Sequence, residues 1–318
     1  MKAMKKGPRM YISRAIYSLL LLFTLAVVFS CSPSAGTPSI DSQQMSTNDA
    51  VITILTDEID DIVLQALNNS ATSAAATNGR VEVISDDRLT CSNISIVFSG
   101  IDPADKAFGK VTITYPQDGS CVDKKGNVRK GTIVAEWTGS RWYRAGSTLT
   151  ITLSNYSANG IVITGKRTLS AAAFNFTTSN QFQVIWDVAA NHTLTWPDAS
   201  SATLNVTYSR QWDHINGSET FSYTNPPTTI GNYAMQGMNR HGKNFNMVIT
   251  TPLVYYYSCI VISKNYMPVY GVKVLTNLTD NVSMTINYGT LYNCDNLYTL
   301  TTDKASVDLR SKNNSSDD

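Results

Sequence analysis

The sequence predicts an all-β protein: mainly an antiparallel meander, as a curved sheet, open barrel or sandwich, with one N-terminal helix packed on it. From residue 80 to 303, short apolar runs and alternating apolar and polar residues recur, as in strands. No helical pattern of about 12 residues separates successive strands, so parallel crossovers are not expected. A single helical pattern, at residues 46–72, precedes the strands.

Residues 1–30 have the pattern of a bacterial lipoprotein signal peptide. The segment begins with basic residues, namely Lys2, Lys5, Lys6, Arg9 and Arg14. The apolar run at 15–29 would form a helix of about 22 Å, shorter than a hydrocarbon core of roughly 30 Å. A removable signal segment therefore fits this run better than a permanent membrane span.

Cys31 is the predicted lipidation site, because small Ser30 precedes it and suits a signal peptidase. Its thiol would carry a diacylglycerol and the freed amine a third acyl chain, which together anchor a protein durably. The alternative is an uncleaved anchor beside an incidental cysteine. Residues 31–45, rich in Ser and Pro at first, are expected to be a flexible tether.

Composition limits the classes of function. The formal net charge is +1, and the basic signal segment accounts for more than that, so the remaining domain of about 285 residues is mildly acidic. A nucleic-acid partner is therefore not expected, since phosphate binding requires a basic patch. The length allows one large β domain or two smaller, related halves.

The helix at 46–72 is predicted from apolar residues three and four positions apart, namely Ile52, Leu55, Ile59, Ile62 and Ala66. Asp57, Glu58, Asp60 and Asp61 lie between them. We expect these acidic residues to form a solvated face, with a cation site as the rarer alternative. Residues 73–79 are a small-residue linker, and 304–318 a disordered tail.

The four cysteines left after Cys31 suggest two disulfides in an oxidising compartment, with three pairings available. Cys121 follows Thr112-Ile113-x-Tyr115 at the spacing at which Cys294 follows Thr285-Ile286-x-Tyr288. Cys91 and Cys259 each lie upstream, and each is expected to lead into a strand. This internal similarity favours Cys91–Cys121 and Cys259–Cys294; chance similarity between two hairpins is the alternative.

The segment 121–133 resembles a turn of uncharacterised all-β lipoproteins of Bacteroidetes-type bacteria, in which a cysteine and an Arg-Lys-Gly lead into a strand. The similarity continues through 142–147, 154–160 and 165–168, and 288–296 resembles the family's C-terminal end. The resemblance implies a lipoprotein with an all-β body and no established activity. Ser32 after the lipid cysteine resembles an outer-membrane sorting pattern. The absence of acidic residues before Asp41 favours the periplasmic face, with surface exposure as the alternative.

We find no catalytic site, no metal-binding cluster and no cofactor motif in the sequence, so an enzyme is not expected. His192, His214 and His241 are dispersed, and no Gly-x-Ser-x-Gly selects a nucleophile. The one weak binding signal is Trp137, Trp142 and Tyr143 around a Gly-Ser turn, which could stack on a sugar or an apolar molecule. Core packing is the more common role of such rings.

Two classes of function fit the sequence. The first is a membrane-tethered cell-envelope lipoprotein with a non-enzymatic structural or binding role. The second is a periplasmic carrier that shelters an acyl chain or another apolar ligand under the helix. A glycan-binding module is a third, weaker hypothesis, which requires two coplanar exposed rings.

Overall fold

The computed structural model describes residues 38–72, 86–91, 93–100, 108–123, 126–139, 142–178, 181–215, 218–224, 233–263, 266–290 and 294–310. The predicted signal peptide, Cys31 and the linker at 73–79 lie outside these residues. Of the predicted tether, only residues 38–45 fall within them.

Fifteen strands form one antiparallel sheet. The strands are β1 (Ser95–Ser99), β2 (Phe108–Tyr115), β3 (Cys121–Val122), β4 (Val128–Thr138), β5 (Thr148–Ala158), β6 (Ile161–Thr178), β7 (Gln181–Thr195), β8 (Ser201–Ile215), β9 (Ser218–Thr224), β10 (Met235–Met238), β11 (Asn244–Tyr256), β12 (Tyr270–Asn277), β13 (Val282–Asn287), β14 (Leu297–Thr301) and β15 (Ser306–Arg310). The helices are α1 (Ile40–Thr72) and α2 (Tyr257–Ser263), with a 3₁₀ turn at Asp87–Leu89. The predicted class is confirmed: an open, curved, mainly antiparallel sheet with one N-terminal helix.

The strands follow one another as a meander, because the turns between them are short. Asn159 and Gly160 both have positive φ, at 51° and 83°, the geometry that a tight hairpin between β5 and β6 needs. The described strands depart from the simple order at two places: β2 pairs directly with β4, beside which the short β3 also pairs, and a second departure lies between β8 and β11. There β9 pairs with one half of both strands and β10 with the other half.

Glycines and bulges curve the sheet where neighbouring strands approach closely. A Cβ on Gly131 would lie 2.0 Å from the carbonyl oxygen of Asn155, and one on Gly165 would lie 2.0 Å from that of Asn191. The register shifts beside Gly131, between Lys130 and Thr132 on β4. Irregularities of this kind bend a strand and increase its twist.

Helix α1 packs against the concave face of the sheet, and almost all of its middle is buried. Between Asn48 and Leu67 only Ile54 and Gln65 are even partly exposed. The apolar stripe around Ile52, Ile59 and Ile62 packs in the core, as predicted. The expectation of a solvated acidic face is wrong: Asp57, Glu58, Asp60 and Asp61 are buried as well. Arginines of the sheet and of the segment before it form ion pairs with Glu58, Asp60 and Asp61, which offsets the cost of burying these three carboxylates.

The helix begins earlier than the sequence pattern predicts. It starts at Ile40, within the predicted tether, and Ser39 caps it: the Ser42 amide donates to the Ser39 hydroxyl over 3.2 Å. A serine oxygen at this position satisfies one of the amides that have no partner within the helix. Residues 40–45 are therefore helical.

Both predicted disulfides are present. Cys91–Cys121 joins the segment before β1 to β3, and Cys259–Cys294 joins α2 to the segment before β14. The expectation that Cys259 leads into a strand is wrong, because residues 257–263 are helical. The expected disordered tail also needs correction, since Ser306–Arg310 form β15 and pair with β14.

Candidate functional site: an aromatic cluster at the end of the longest strands

Basic side chains from the sheet and its lead-in segment point into the interior and pair with α1. They are Arg88, Arg129, Arg167, Arg210 and Lys273. All of them are buried. Each of these interior cations therefore has a carboxylate partner, as expected because an unpaired buried ion is very unfavourable.

Asp60 is the centre of one ion-pair group. Its Oδ2 lies 2.8 Å from Nη2 of Arg167 on β6 and 2.9 Å from Nη1 of Arg210 on β8. The Asp60 side chain is completely inaccessible to solvent. One helical carboxylate thus holds two strands to α1.

Glu58 forms a second group with β4. Its Oε1 lies 2.6 Å from Nη2 of Arg129, and Asp123 Oδ2 lies 3.0 Å from the same nitrogen. Arg129 also donates to the Tyr156 hydroxyl over 2.8 Å. Burial alone would lower the pKa of Arg129, but Glu58 beside it holds that pKa well above its ordinary value.

Arg88 joins distant parts of the sheet through the helix. It pairs with Asp61 of α1 and with Asp86, and it donates to the Tyr266 hydroxyl. Residue 88 precedes β1, whereas residue 266 precedes β12. The Arg88 guanidinium therefore links the segments that lead into β1 and into β12 to Asp61 of the helix.

Asp49 and Lys273 make a further interior ion pair. Lys273 Nζ lies 2.5 Å from Asp49 Oδ2 and 5.6 Å from the ring centroid of Tyr288. Burial would lower the pKa of Lys273, but the neighbouring Asp49 raises it above its ordinary value. This lysine is therefore charged at neutral pH.

Asp57 borders a small interior cavity of about 30 Å³, which Tyr208, Tyr255 and Lys273 also line. Burial raises the pKa of Asp57 to about 6, although Arg167 opposes the shift. A space of this size holds about one water molecule. The Asp57 carboxyl beside it therefore titrates closer to neutral pH than an ordinary aspartate.

The feature open to solvent is a cluster of aromatic rings at one end of the longest strands. We call it the aromatic cluster; it consists of Trp142, Tyr143, Phe174, Phe176, Phe182, Trp186, Trp212 and His214. Phe176, Phe182 and His214 lie directly opposite one another across β6, β7 and β8. Cross-strand partners share a face of a sheet, so these rings continue the face that packs on α1.

The ring contacts within the cluster are of two kinds. Trp142 is nearly parallel to Trp186 and Trp212, with interplanar angles of 7° and centroids 6.1 and 6.4 Å away. Phe176 instead meets Phe174 edge-on, at 88° and 4.8 Å. Trp142 and Trp186 are buried, whereas Phe176 is 61% exposed. The Trp142–Trp186 stack therefore belongs to the core, whereas the Phe174–Phe176 pair reaches solvent.

Arg144 lies over the exposed rings of the aromatic cluster. Its guanidinium carbon is 4.7 Å from the ring centroid of Phe174 and 5.9 Å from those of Tyr143 and Phe176. The arginine itself is exposed. Contact with several ring faces stabilises a cation and fixes its orientation.

The aromatic cluster lies near the C-terminal end of α1. Gln65, near the end of α1, donates to the Tyr257 hydroxyl over 2.7 Å. Tyr257 directly follows Tyr256, the last residue of β11. Tyr256 pairs with Thr220 of β9, and Thr220 pairs with Asp213 of β8. Asp213 is thus level with Gln65. Ile40, where the helix begins, is about 38 Å away along the helix axis.

The structure brings together two of the three aromatic residues predicted from sequence. Trp142 and Tyr143 meet edge-on at 5.2 Å in the β4–β5 connection. Trp137 lies on β4 and is buried, with its ring against Gly109. Sequence reasoning missed Arg144 and the rings of β6 to β8. The signal was present as aromatics two residues apart, at 174 and 176 and again at 212 and 214.

The histidines are separate from one another. His192 is buried on β7, and burial lowers its pKa to about 4. His214 stacks on Phe182 in the aromatic cluster at 5.1 Å. His241 lies in the turn before β11, where its amide donates to Asn239. Within the described residues, no group of His, Cys, Asp and Glu is arranged to hold a metal ion.

A cleft of about 290 Å³ lies beside Tyr288, Asp295 and Asp308. Its carboxylates already accept hydrogen bonds from the chain itself, Asp308 from the Thr299 hydroxyl at 2.6 Å and Asp295 from the Leu297 amide at 3.1 Å. The cleft is therefore a weaker candidate than the aromatic cluster. Neither described helix is long and apolar enough to cross a membrane.

The fold and the candidate site together define the architecture of this protein. It is a curved antiparallel sheet with an acidic helix bound in its concave face and aromatic rings at one end. Comparison with known proteins adds no relative, since no protein-family model, curated protein or solved structure matches the chain.

Proposed function

We propose that this protein is a membrane-tethered lipoprotein of the cell envelope with a non-enzymatic binding role, carried by a rigid β scaffold. The anchor is proposed from the sequence of residues 1–31 alone, with Cys31 as the lipidated residue. The tether joins the scaffold at the start of α1, and the aromatic cluster lies toward the opposite end of that helix.

The observation that supports the binding role is a difference between two parts of the molecule, the concave face of the sheet and the aromatic cluster. In the described residues, the interior charges of α1 are paired with the sheet, so the concave face holds the chain's own helix. The aromatic cluster instead leaves Phe176 and Arg144 open to solvent. Exposed aromatics and arginine are the residues most enriched in binding surfaces.

The carrier hypothesis is the weaker alternative. A carrier needs a continuous apolar cavity beneath the helix, of several hundred Å³ for a drug-sized ligand. The described interior there contains a cavity of about 30 Å³, bordered by Asp57, Arg167 and Lys273. Ionic groups and a space for about one water molecule argue against an acyl chain at this position.

The location that we propose is the outer membrane, with the domain facing the periplasm. Ser32 after the lipid cysteine and the absence of acidic residues before Asp41 support it. The two disulfides are compatible with an oxidising compartment. The resemblance to Bacteroidetes-type lipoproteins supports the lipid anchor.

The anchor is tested by intact mass of the full chain extracted from membranes of a Gram-negative host. We expect the wild type to begin at Cys31 and to carry acyl chains. Cys31→Ser should remain an uncleaved precursor, whereas Ser30→Ala, which keeps a small residue, should be processed normally. Wild-type protein that retains residues 1–30 with an unmodified thiol would refute the proposed function.

A further inference from the structure

We propose that the aromatic cluster and Arg144 bind a partner protein through an acidic residue flanked by an apolar side chain. This inference rests on the proposed binding role and names the partner's chemistry. The exposed part of the surface consists of Tyr143, Phe174, Phe176 and Arg144, with Phe182 and His214 beside them.

The first argument is the orientation of Arg144. Its guanidinium lies over three rings, the nearest being Phe174 at 4.7 Å. Contact with a ring face does not use the N–H groups of a guanidinium as hydrogen-bond donors to a carboxylate. A carboxylate accepts two of those N–H groups at once, in a geometry that lysine cannot reproduce.

The second argument is charge. Among the arginines whose side chains the structure describes, those in the interior pair with carboxylates of the same chain. Partly buried Arg240 pairs with Asp198 at 2.7 Å, and exposed Arg310 donates to the Asp295 carbonyl over 3.2 Å. Within the part of the chain that the structure describes, the side chain of Arg144 contacts aromatic rings. An exposed cation held in place without a carboxylate of its own is complementary to an acidic residue from outside.

The third argument is the apolar surface around that cation. Phe176 is 61% exposed, and Phe174, Phe182 and Trp212 are only partly buried against the core. An acidic group that approached Arg144 would bring its neighbouring atoms onto these rings. Burial of an aromatic anchor next to a charge-assisted hydrogen bond is the usual composition of an interface hot spot.

The ring geometry favours a peptide chain over a glycan. Sugar rings stack on broad, flat aromatic faces, whereas exposed Phe176 stands at 88° to Phe174. Of the three near-parallel tryptophans, Trp142 and Trp186 have exposed fractions of 8% and 1%, and Trp212 alone is partly exposed. One such ring does not make the pair of coplanar exposed rings that a glycan-binding module requires. A rough surface of ring edges and faces suits a branched or aromatic side chain.

The test begins with full-length protein in detergent, used to select from a phage library of random linear peptides. A fluorescein-labelled copy of the selected peptide is then titrated with each variant. We expect selected peptides to carry Asp or Glu within a few residues of a large apolar side chain. Arg144→Gln and Phe176→Ala should each weaken the Kd by about tenfold or more, and Arg144→Lys should restore part of the loss.

Arg240→Gln is the matched control, because Arg240 also lies over a ring, that of Trp196 at 4.8 Å, but at the β10–β11 turn. It should leave the Kd unchanged. Thermal unfolding verifies that each exposed variant is folded. No enrichment, peptides without an acidic residue, or a Kd insensitive to Arg144→Gln would overturn the inference.

An acidic oligosaccharide, oligogalacturonate, is titrated in parallel. If it binds through Arg144 and peptides do not, the partner class is wrong although the surface is a binding site. None of these variants should alter processing at Cys31. A failed peptide selection with normal processing therefore rejects this inference alone, whereas retained residues 1–30 reject the anchor.

Discussion

Asp60 shows how one residue supports the interior. Its carboxylate lies between Arg167 and Arg210, on two different strands, and all three side chains are buried. The two guanidinium groups do not need Asp60 in order to be charged, since arginine does not deprotonate in proteins. Removal of the carboxylate would therefore leave two buried cations with Asp57 as their remaining acidic neighbour among the described residues.

We predict that Asp60→Asn lowers the free energy of unfolding by about 3–5 kcal/mol, the usual cost of breaking a buried ion pair from one side. Urea denaturation at neutral pH measures it. The matched control is Asp198→Asn, which removes an exposed partner of Arg240. Equal, small effects of the two substitutions would show that Asp60 is not buried between cations.

Asp57 gives the interior a pH dependence of predictable sign. Its pKa in the folded protein is about 6, above the ordinary 3.8, because of burial. The folded state therefore binds this proton more tightly than the unfolded state. The stability that this provides is complete below about pH 4 and is lost as the pH rises through about 6.

Asp57→Asn should remove the loss of stability that the wild type shows as the pH rises through about 6. We expect the variant to be more stable than the wild type at about pH 7.5, by up to about 3 kcal/mol, with the difference reduced at about pH 4.5. Urea midpoints at the two pH values test it. A wild type and variant with parallel pH dependence would contradict the assignment of this titration to Asp57.

At the scale of elements, the long periodic segments were predictable and the short ones were not. Strands β4 to β8 alternate clearly, because one face meets the core and the other solvent. The apolar run at 260–262 is too short to distinguish a strand from a helix, and it is part of α2. Strand β10 is only four residues long, which is too short for an alternating pattern to be recognised in the sequence.

The start of α1 was mispredicted because two polar segments compete as caps. Ser46-Thr47-Asn48-Asp49 resembles an N-terminal cap, but Ser39 is the one that the helix uses. We predict that Ile40→Pro is tolerated, since proline suits the first helical position. Gln44→Pro should lower the free energy of unfolding by about 3 kcal/mol, because it removes a helical hydrogen bond.

The two proline variants are compared by thermal unfolding of otherwise identical proteins. Ile40 is 73% exposed, so the loss of its side chain contributes little. If Gln44→Pro is as stable as Ile40→Pro, residues 40–45 belong to the tether after all.

The disulfides also link elements of the fold, and each is expected to stabilise the folded state. Cys91–Cys121 closes a loop with a sequence separation of 30 residues. Replacement of both cysteines by alanine should lower the free energy of unfolding by about 3.5–4 kcal/mol in the chain-entropy account. Denaturant unfolding of the double variant measures this. An unchanged midpoint would mean that the pair contributes nothing in solution.

At the scale of the whole molecule, the enclosure of α1 was not predictable from sequence. The ion pairs that hold it join residues far apart, such as Asp60 and Arg210, which are 150 positions apart. A sequence pattern reports which residues share a helix face, but it carries no information about which distant cation meets them. An acidic face was therefore interpreted as solvated, which is its more common role.

The aromatic cluster was not predictable from sequence for the same reason, namely that its members come from distant parts of the chain. Trp142 and Tyr143 are conspicuous in sequence because they are adjacent, whereas their neighbours come from three strands. Only the register of β6, β7 and β8 places Phe176, Phe182 and His214 in one row. Single aromatics in strands are more often core, so the cluster becomes visible only after the sheet is assembled.

Hydrogen–deuterium exchange of the full-length protein tests the central claim most directly, namely that an acidic helix is bound within the concave face of the sheet. Backbone amides of residues 48–67 should exchange as slowly as those of the core strands β5 to β7, because they open only when the sheet opens. Rapid exchange of that segment while the strands stay protected would show a peripheral helix and contradict the account.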